Sequence, residues 1–356
     1  KRGNKEAQYL LADMLEHGYG VEKNIKKSLF WYKKSASTYQ YIVHEADRLQ
    51  NNVDIDPDNA FIQKKLQFAF SKIDLSSPDV RKEVNKMVDK NFGIYPYRTN
   101  YLAPISYASR KYNRHYTTSF QNDFPDTYSS QTEVEFQFSI QKTLTHNLLG
   151  LNDYLSVAYT QQVWWQAYDD SAPFREINYT PEIFFTIPSP YDVDAKKHLK
   201  AIQFGYRHQS NGQEGYRSRS WNRLFLASLW QWDNLFLKAQ TWYRIPENKK
   251  DASFYDGTNP DASGDDNPNI ENYLGYGDIE IKYLYGSNQF GLKWRNNLKL
   301  DGNKGSIELD FSTPVYNSQN TYWYLKFFNG YGESLIDYDR SVSKISFGFS
   351  FYRSLF

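Results

Sequence analysis

Residues Thr132 to Leu144 read TEVEFQFSIQKTL. Val134, Phe136, Phe138 and Ile140 fall on one side of an extended chain, with Glu133, Glu135, Gln137, Ser139 and Gln141 on the other, because successive side chains of a strand point to opposite faces. One such strand fits a soluble sandwich. Runs of the same period, such as YLSVAYTQQVWWQ at 154–166 and RLFLASLWQW at 223–232, recur from about Ile94 onward between turns rich in Gly, Asn, Asp and Pro. At roughly 9 to 11 residues per spanning strand, with short turns alternating with longer loops, that length predicts about 12 strands. The expected fold class is therefore an all-β transmembrane barrel of antiparallel strands, preceded by a small α-helical repeat domain. A barrel of that size is filled by its own polar side chains and is not an open pore.

Composition agrees. Lys plus Arg number 42 against 41 Asp plus Glu, a formal charge of +1, so no global field recruits nucleic acid or another polyanion. Aromatic residues make up 18% of the chain, led by 31 Tyr and 24 Phe, yet mean hydropathy is −0.75. Polar on average but aromatic is what alternating strands with aromatic girdles produce. There is no cysteine, hence neither a disulfide framework nor thiol chemistry. No segment approaches the roughly 18 apolar residues of a transmembrane helix. The first residue is Lys1, and a targeting segment and further repeats ahead of it are expectations.

Residues 1–92 have a helical period. Ala7, Leu10, Leu11, Met14 and Leu15 recur at helical spacing, Gly18 and Gly20 punctuate, and Ile25, Ser28, Leu29 and Tyr32 resume it. The order of Ala7, Leu11, Ala12, Gly18, Gly20, Val21, Trp31, Tyr32, Lys34 and Ala36 resembles tetratricopeptide-like repeats of the Sel-like class. Further helices are expected over 56–75 and 76–92, with caps at Asp56 and Ser77 each followed by proline. A repeat cannot bury its apolar face alone. This part reads either as a periplasmic scaffold for a protein partner or as a packing appendage, with the barrel domain at 93–356.

The chain ends on KISFGFSFYRSLF, residues 344–356, alternating Ile345, Phe347, Phe349 and Phe351 against Ser346, Gly348 and Ser350 before the alternation slips at Tyr352. An aromatic-ended last strand resembles those of bacterial outer-membrane barrels. The longest polar insertion, Asp251 to Gly277, reads as a solvated loop without strict calcium-ligand spacing.

Chemistry concentrates in FGYRHQSNGQEGYRSRSWNRLF, residues 204–225. Phe204, Tyr206, His208 and Ser210 share one face of a strand, with the aromatic pair marking the lipid side. After a loop centred on Gly212 to Ser218 the chain returns through Asn222, Leu224 and Leu226, again on one face, so a hairpin can set Asn222 beside His208. A serine needs a base, and the base needs its far ring nitrogen held. Ser210, His208 and Asn222 supply those roles. A neutral asparagine suits a membrane surface, where an uncompensated carboxylate costs several kcal/mol of desolvation. His17, His44, His115, His146 and His198 lack metal spacing, and Arg175 and Glu176 read as inward-facing charges of a lumen network.

The segments YRHQSNG and SRSWNRL, with fourteen residues from histidine to asparagine, resemble the catalytic segment of the outer membrane phospholipase A family. SAPFREINYTPEIFF, DNPNIENYLGYG and FNGYGESLIDYDRS resemble their counterparts, so the likeness runs collinearly from about Tyr95 to Phe356. It implies a 12-stranded bacterial outer-membrane enzyme that hydrolyses acyl esters of phospholipids, requires Ca2+ and acts as a homodimer. Carried over, Ser210 is nucleophile, His208 base and acid, Asn222 the orienting residue, and Gly212 N–H part of the oxyanion site. The implied calcium ligands are Ser171, Gln213 and Ser218. The acid of a second calcium site matches Gly215, with Glu214 adjacent. Gln161 matches a mid-membrane glutamine of the dimer contact; from alternation alone it could equally face the lumen. The competing reading is a non-catalytic barrel, a channel or an anchor, displaying the helical module.

Overall fold

The computed structural model describes residues 5–35, 77, 79, 94–112, 130–189, 198–255, 257–259, 261–316, 318 and 320–356. The chain divides into two compact units, Lys1–Asp74 with Pro188–Lys200 and Leu75–Ile187 with Ala201–Phe356.

In the first unit, helices α1 (Lys5–His17) and α2 (Ile25–Ser35) form a hairpin. Asn24 starts α2 by accepting from Lys27 N–H at 3.0 Å, satisfying a donor that the first helical turn leaves orphaned. Ala12 and Tyr32 are buried between the helices. Ser28 Oγ donates to the Ala12 carbonyl at 2.7 Å, and the Tyr32 hydroxyl to Glu16 at 2.9 Å. His17 turns back to Asp13. The helices expected over 56–75 and 76–92 lie outside the described residues, Ser77 and Asp79 apart, as do His44 and His115.

In the second unit, a short strand β1 (Tyr95–Pro96) precedes β2 (Asn100–Ala108), β3 (Thr132–His146), β4 (Tyr154–Trp165) and β5 (Phe174–Pro188). β6 (Leu199–Ser210), β7 (Ser220–Trp232), β8 (Leu235–Arg244) and β9 (Gly277–Tyr285) follow. β10 (Asn288–Asn296), β11 (Gly305–Pro314), β12 (Tyr322–Gly330) and β13 (Val342–Tyr352) complete the sheet. Each strand from β2 to β13 pairs with its sequence neighbours, and β13 pairs back onto β2. That closes an antiparallel barrel of 12 strands in which each has a partner on both sides; β1 merely continues β2 along β3.

The closing seam carries its own irregularity. Pro104 has no N–H for the ladder, and the β2–β3 register slips between Ala103 and Ser106. On the other side the β2–β13 register slips between Phe347 and Phe349. Gly348 lies between them, where a Cβ would come within 2.1 Å of the Leu102 carbonyl oxygen and 2.7 Å of Pro104 Cδ.

Alternation sorts the wall. Ile105, Phe138, Leu224, Leu226, Ile345 and Phe347 are exposed on the outside. Aromatic pairs sit near both rims: Trp165 on Phe174 at one end, Trp230 on Trp232 and Trp323 on Phe349 at the other. The second rim carries the shortest turns, at 233–234 and 286–287, while the first carries the long connections; in outer-membrane barrels short turns are periplasmic and long loops extracellular.

Inside, Arg175 bonds Glu133 at 2.9 and 3.0 Å, Asp337 at 3.0 Å and Glu333 at 3.1 Å. Lys344 reaches Glu133 at 2.6 Å and Glu333 at 2.7 Å, Lys326 pairs with Glu135, and Glu182 lies between Arg98 and Arg207. Buried charges persist only when paired and hydrogen-bonded; here they plug the lumen. Arg175 belongs to this network, as its position predicts. Glu176 instead binds neutral groups, Asn178 and the N–H of Ile336.

The stretch Asp251 to Gly277 is not a solvated loop. It contains two short helices, α3 (Ala252–Tyr255) and α4 (Glu271–Leu274). Ile270, Leu274 and Asn267 are buried, the first two against Trp221, Phe225 and Trp242 inside the barrel. Polar composition hides this because the apolar anchors are few and scattered: among the described residues Ile270, Tyr273 and Leu274 pack on the barrel cluster and Ala262 is buried. The chain end likewise turns inward after Phe351: Ser354 and Leu355 are buried and Phe356 meets Phe236 edge-on.

Candidate active site

The β6–β7 hairpin rises at the long-loop rim. Arg207 points into the lumen, bonding Glu182 at 2.7 Å, and Gln209 points the same way, accepting from Trp221 Nε1 and Arg223 at 2.9 Å each. The alternate residues Phe204, Tyr206, His208 and Ser210 therefore face outward. Asn222, Leu224 and Leu226 do the same from β7.

The structure brings His208 and Asn222 together, with Nδ1 to Oδ1 at 2.8 Å. Ser210 ends β6, half-buried, two residues from His208 on the same face; among the described residues its hydroxyl has no hydrogen-bond partner. Serine–base contacts often close only once substrate is bound.

Beyond Ser210 the loop is organised from below. Asn211 is buried; its Nδ2 donates to Arg217 O at 2.8 Å and to Glu176 at 3.3 Å, while its Oδ1 accepts from Arg219 N at 2.9 Å and Gln213 N at 3.3 Å. Gly212 takes a φ of +63°, and a Cβ there would sit 3.0 Å from the Tyr179 ring. Both facts call for glycine.

Ser218 donates its hydroxyl proton to Asp266 at 2.6 Å, and Asp266 is held by Lys250 at 2.7 Å. Gln213 lies on the same loop as Ser218. Ser171 is exposed on the β4–β5 loop with a φ of +62°, within a turn closed by Ala172 N–H to Asp169 O. With its proton engaged, the Ser218 hydroxyl keeps lone pairs for a cation.

Gln161 faces outward. It pairs with Phe138 on β3 and Tyr179 on β5 and accepts from Tyr159 at 3.1 Å; Gln162 takes the lumen side, donating to Glu135.

Four residues near the site escape the sequence reading. Tyr206 donates to Asn222 Oδ1 at 2.5 Å, and Glu247 accepts from Asn222 Nδ2 at 3.3 Å. Alternation already places Tyr206 on the correct face; nothing local marks Glu247, Asp266 or Asn211. Burial, then the nearby Asp265 carboxylate, pushes the Glu247 acid above its ordinary range.

Residues 79–351 match the phospholipase A1 family, and residues 5–37 match the Sel1 repeat. The chain is 35% identical to phospholipase A1 of Proteus vulgaris over 267 residues, covering 73% of this chain and 82% of that one. With phospholipase A1 of Escherichia coli (strain K12) it shares 33% over 262 residues, with the same coverage.

The chain belongs to the phospholipase A1 family.

Solved structures agree with that family. Outer membrane phospholipase A from Escherichia coli superposes with a TM-score of 0.62 at 31% identity, covering 74% of this chain and 99% of that one. The Salmonella typhi outer membrane phospholipase, a dimer with bound calcium, does so with a TM-score of 0.62 at 32% identity, covering 76% and 96%. A phospholipase A1 barrel with an apolar outer wall and two aromatic rims resides in the bacterial outer membrane.

Proposed function

We propose that this phospholipase hydrolyses acyl esters of membrane phospholipids with Ser210 as nucleophile, His208 as general base and acid, and Asn222 as the residue that orients the imidazole. Ser210 Oγ attacks the ester carbonyl carbon while His208 Nε2 takes its proton. Collapse of the tetrahedral intermediate breaks the bond to the glycerol oxygen, which leaves as lysophospholipid with the proton from His208. Water, deprotonated by His208, then attacks the acyl-serine, releasing the fatty acid and returning the proton to Ser210. The N–H of Gly212 donates to the developing oxyanion. The observation that carries this reading is the 2.8 Å contact of His208 with Asn222 on the outward face, with Ser210 two residues along the same strand.

Ca2+ held by the carbonyls of Ser171 and Gln213 and the hydroxyl of Ser218 would supply positive charge near that oxyanion. The outward, half-buried Gln161 supports homodimerisation, since a mid-wall amide prefers a partner's polar group to lipid. Pairing two barrels would complete the cation site and wall a groove for acyl chains. The division into a helical segment at 1–92 and a barrel at 93–356 belongs to the same proposal, with the helices on the periplasmic side as a docking module for a protein.

Ser210→Ala tests the enzyme reading. Hydrolysis of a phospholipid in detergent with calcium is expected to vanish, with labelling of the wild type by a sulfonyl fluoride at Ser210. Unchanged hydrolysis in the variant would reject the triad.

A further inference from the structure

An asparagine amide has two ends of nearly equal shape, and only one of them serves His208. With Oδ1 toward the ring it accepts from Nδ1–H, leaving Nε2 free to take the serine proton; reversed, its NH2 would select the other tautomer. Something must hold it one way round.

Glu247 sits where it can. An ionised carboxylate only accepts, so the end of Asn222 facing Glu247 must be the NH2. Their contact is 3.3 Å. Tyr206 donates to Oδ1 at 2.5 Å, but its hydroxyl could rotate to accept from a reversed amide. Discrimination therefore falls to the acid. The backbone fixes it from both sides: Ile245 N–H donates to Asn222 O at 2.8 Å, extending the β7–β8 ladder past Arg244, and Asp265 N–H donates to Asn248 O at 2.7 Å. The charged groups around it are Arg244, Asp265, Asp266 and, across Asn222, His208. Arg244 is engaged with Asp265 and Lys250 with Asp266. Among the described residues Glu247 has no ion-pair partner.

We propose that Glu247 is a positioning residue: it locks the Asn222 amide with Oδ1 toward His208, and it sets a negative charge one hydrogen bond beyond the ring. The neutral asparagine cannot itself supply that charge to the imidazolium formed during the reaction. Because Glu247 lies in the connection after β8, outside the spanning strands, water can solvate the charge that an aspartate at position 222 would carry nearer lipid. The inference rests on the triad reading above.

The test compares Glu247→Gln, Glu247→Asp and Ser210→Ala in the full chain, with folding checked by the heat-dependent gel mobility of the barrel. Glu247→Gln is expected to lower kcat about tenfold with KM unchanged, the pattern of a lost transition-state interaction. The acidic limb of its kcat/KM profile should move to lower pH, because the imidazolium loses a stabilising charge. Glu247→Asp should recover part of both effects. A Glu247→Gln profile superimposable on the wild type, beside an inactive Ser210→Ala, would overturn the role of Glu247 and leave the triad standing. Full hydrolysis by Ser210→Ala would overturn both.

Discussion

The Nδ1 atom of His208 on β6 lies 2.8 Å from the Oδ1 atom of Asn222 on β7, outside the wall of a closed barrel. Under the proposed triad, hydrolysis takes place at the lipid boundary, outside the paired charges that fill the lumen.

Replacing Asn222 with Ala removes the oxygen that lies 2.8 Å from His208 Nδ1. Activity on a short-chain phospholipid should fall about 10- to 100-fold, mostly in kcat, with the barrel intact by circular dichroism. A loss below twofold would show that the ring needs no such anchor.

Ser218→Ala deletes the one side-chain oxygen of the proposed calcium set. The calcium concentration for half-maximal activity is expected to rise about tenfold, and a chelator should abolish activity in both proteins. Titrating hydrolysis with calcium checks this; an unmoved midpoint would place the cation elsewhere.

Arg175→Met should strongly destabilise the barrel, because Glu133, Glu333 and Asp337 all bond to Arg175. Removing one partner from a buried ionic network costs about 3–5 kcal/mol. Thermal unfolding in micelles should show a lowered midpoint, whereas the surface change Lys299→Met should not.

The raised acid of Glu247 fixes the sign of a pH effect. A carboxyl whose folded pKa exceeds its unfolded value contributes stability in full below the unfolded pKa and loses it as pH rises through the folded one. Stability at the long-loop rim should fall as pH climbs just past the ordinary carboxylate range, and Glu247→Gln should flatten that slope. Because Glu247 is only partly buried, the effect is small, and hydrogen exchange of residues 245–250 is the suitable measurement. Equal slopes in both proteins would remove Glu247 from the account.

Much of this protein was legible from period alone. A repeat of two puts Phe138 on the lipid side and Glu135 in the lumen without reference to any neighbour, since the alternation of a strand is a local property. The same rule set His208, Ser210 and Asn222 on one face. Gln161 stood open between lumen and lipid, although Leu155, Val157 and Tyr159 share its face of β4; its pairing with Phe138 decides for the outside.

What the sequence by itself determined was therefore the class of fold, the inward and outward sides of most strands, and the shared face of His208, Ser210 and Asn222. Tertiary structure alone decided the inward folding of 251–277 onto Trp221 and Trp242, the tuck of Phe356 against Phe236, and the approach of Glu247 to Asn222. The physical reason is separation along the chain. Facing direction follows from the backbone of one strand, whereas a contact between a loop and a distant strand depends on how the whole barrel closes.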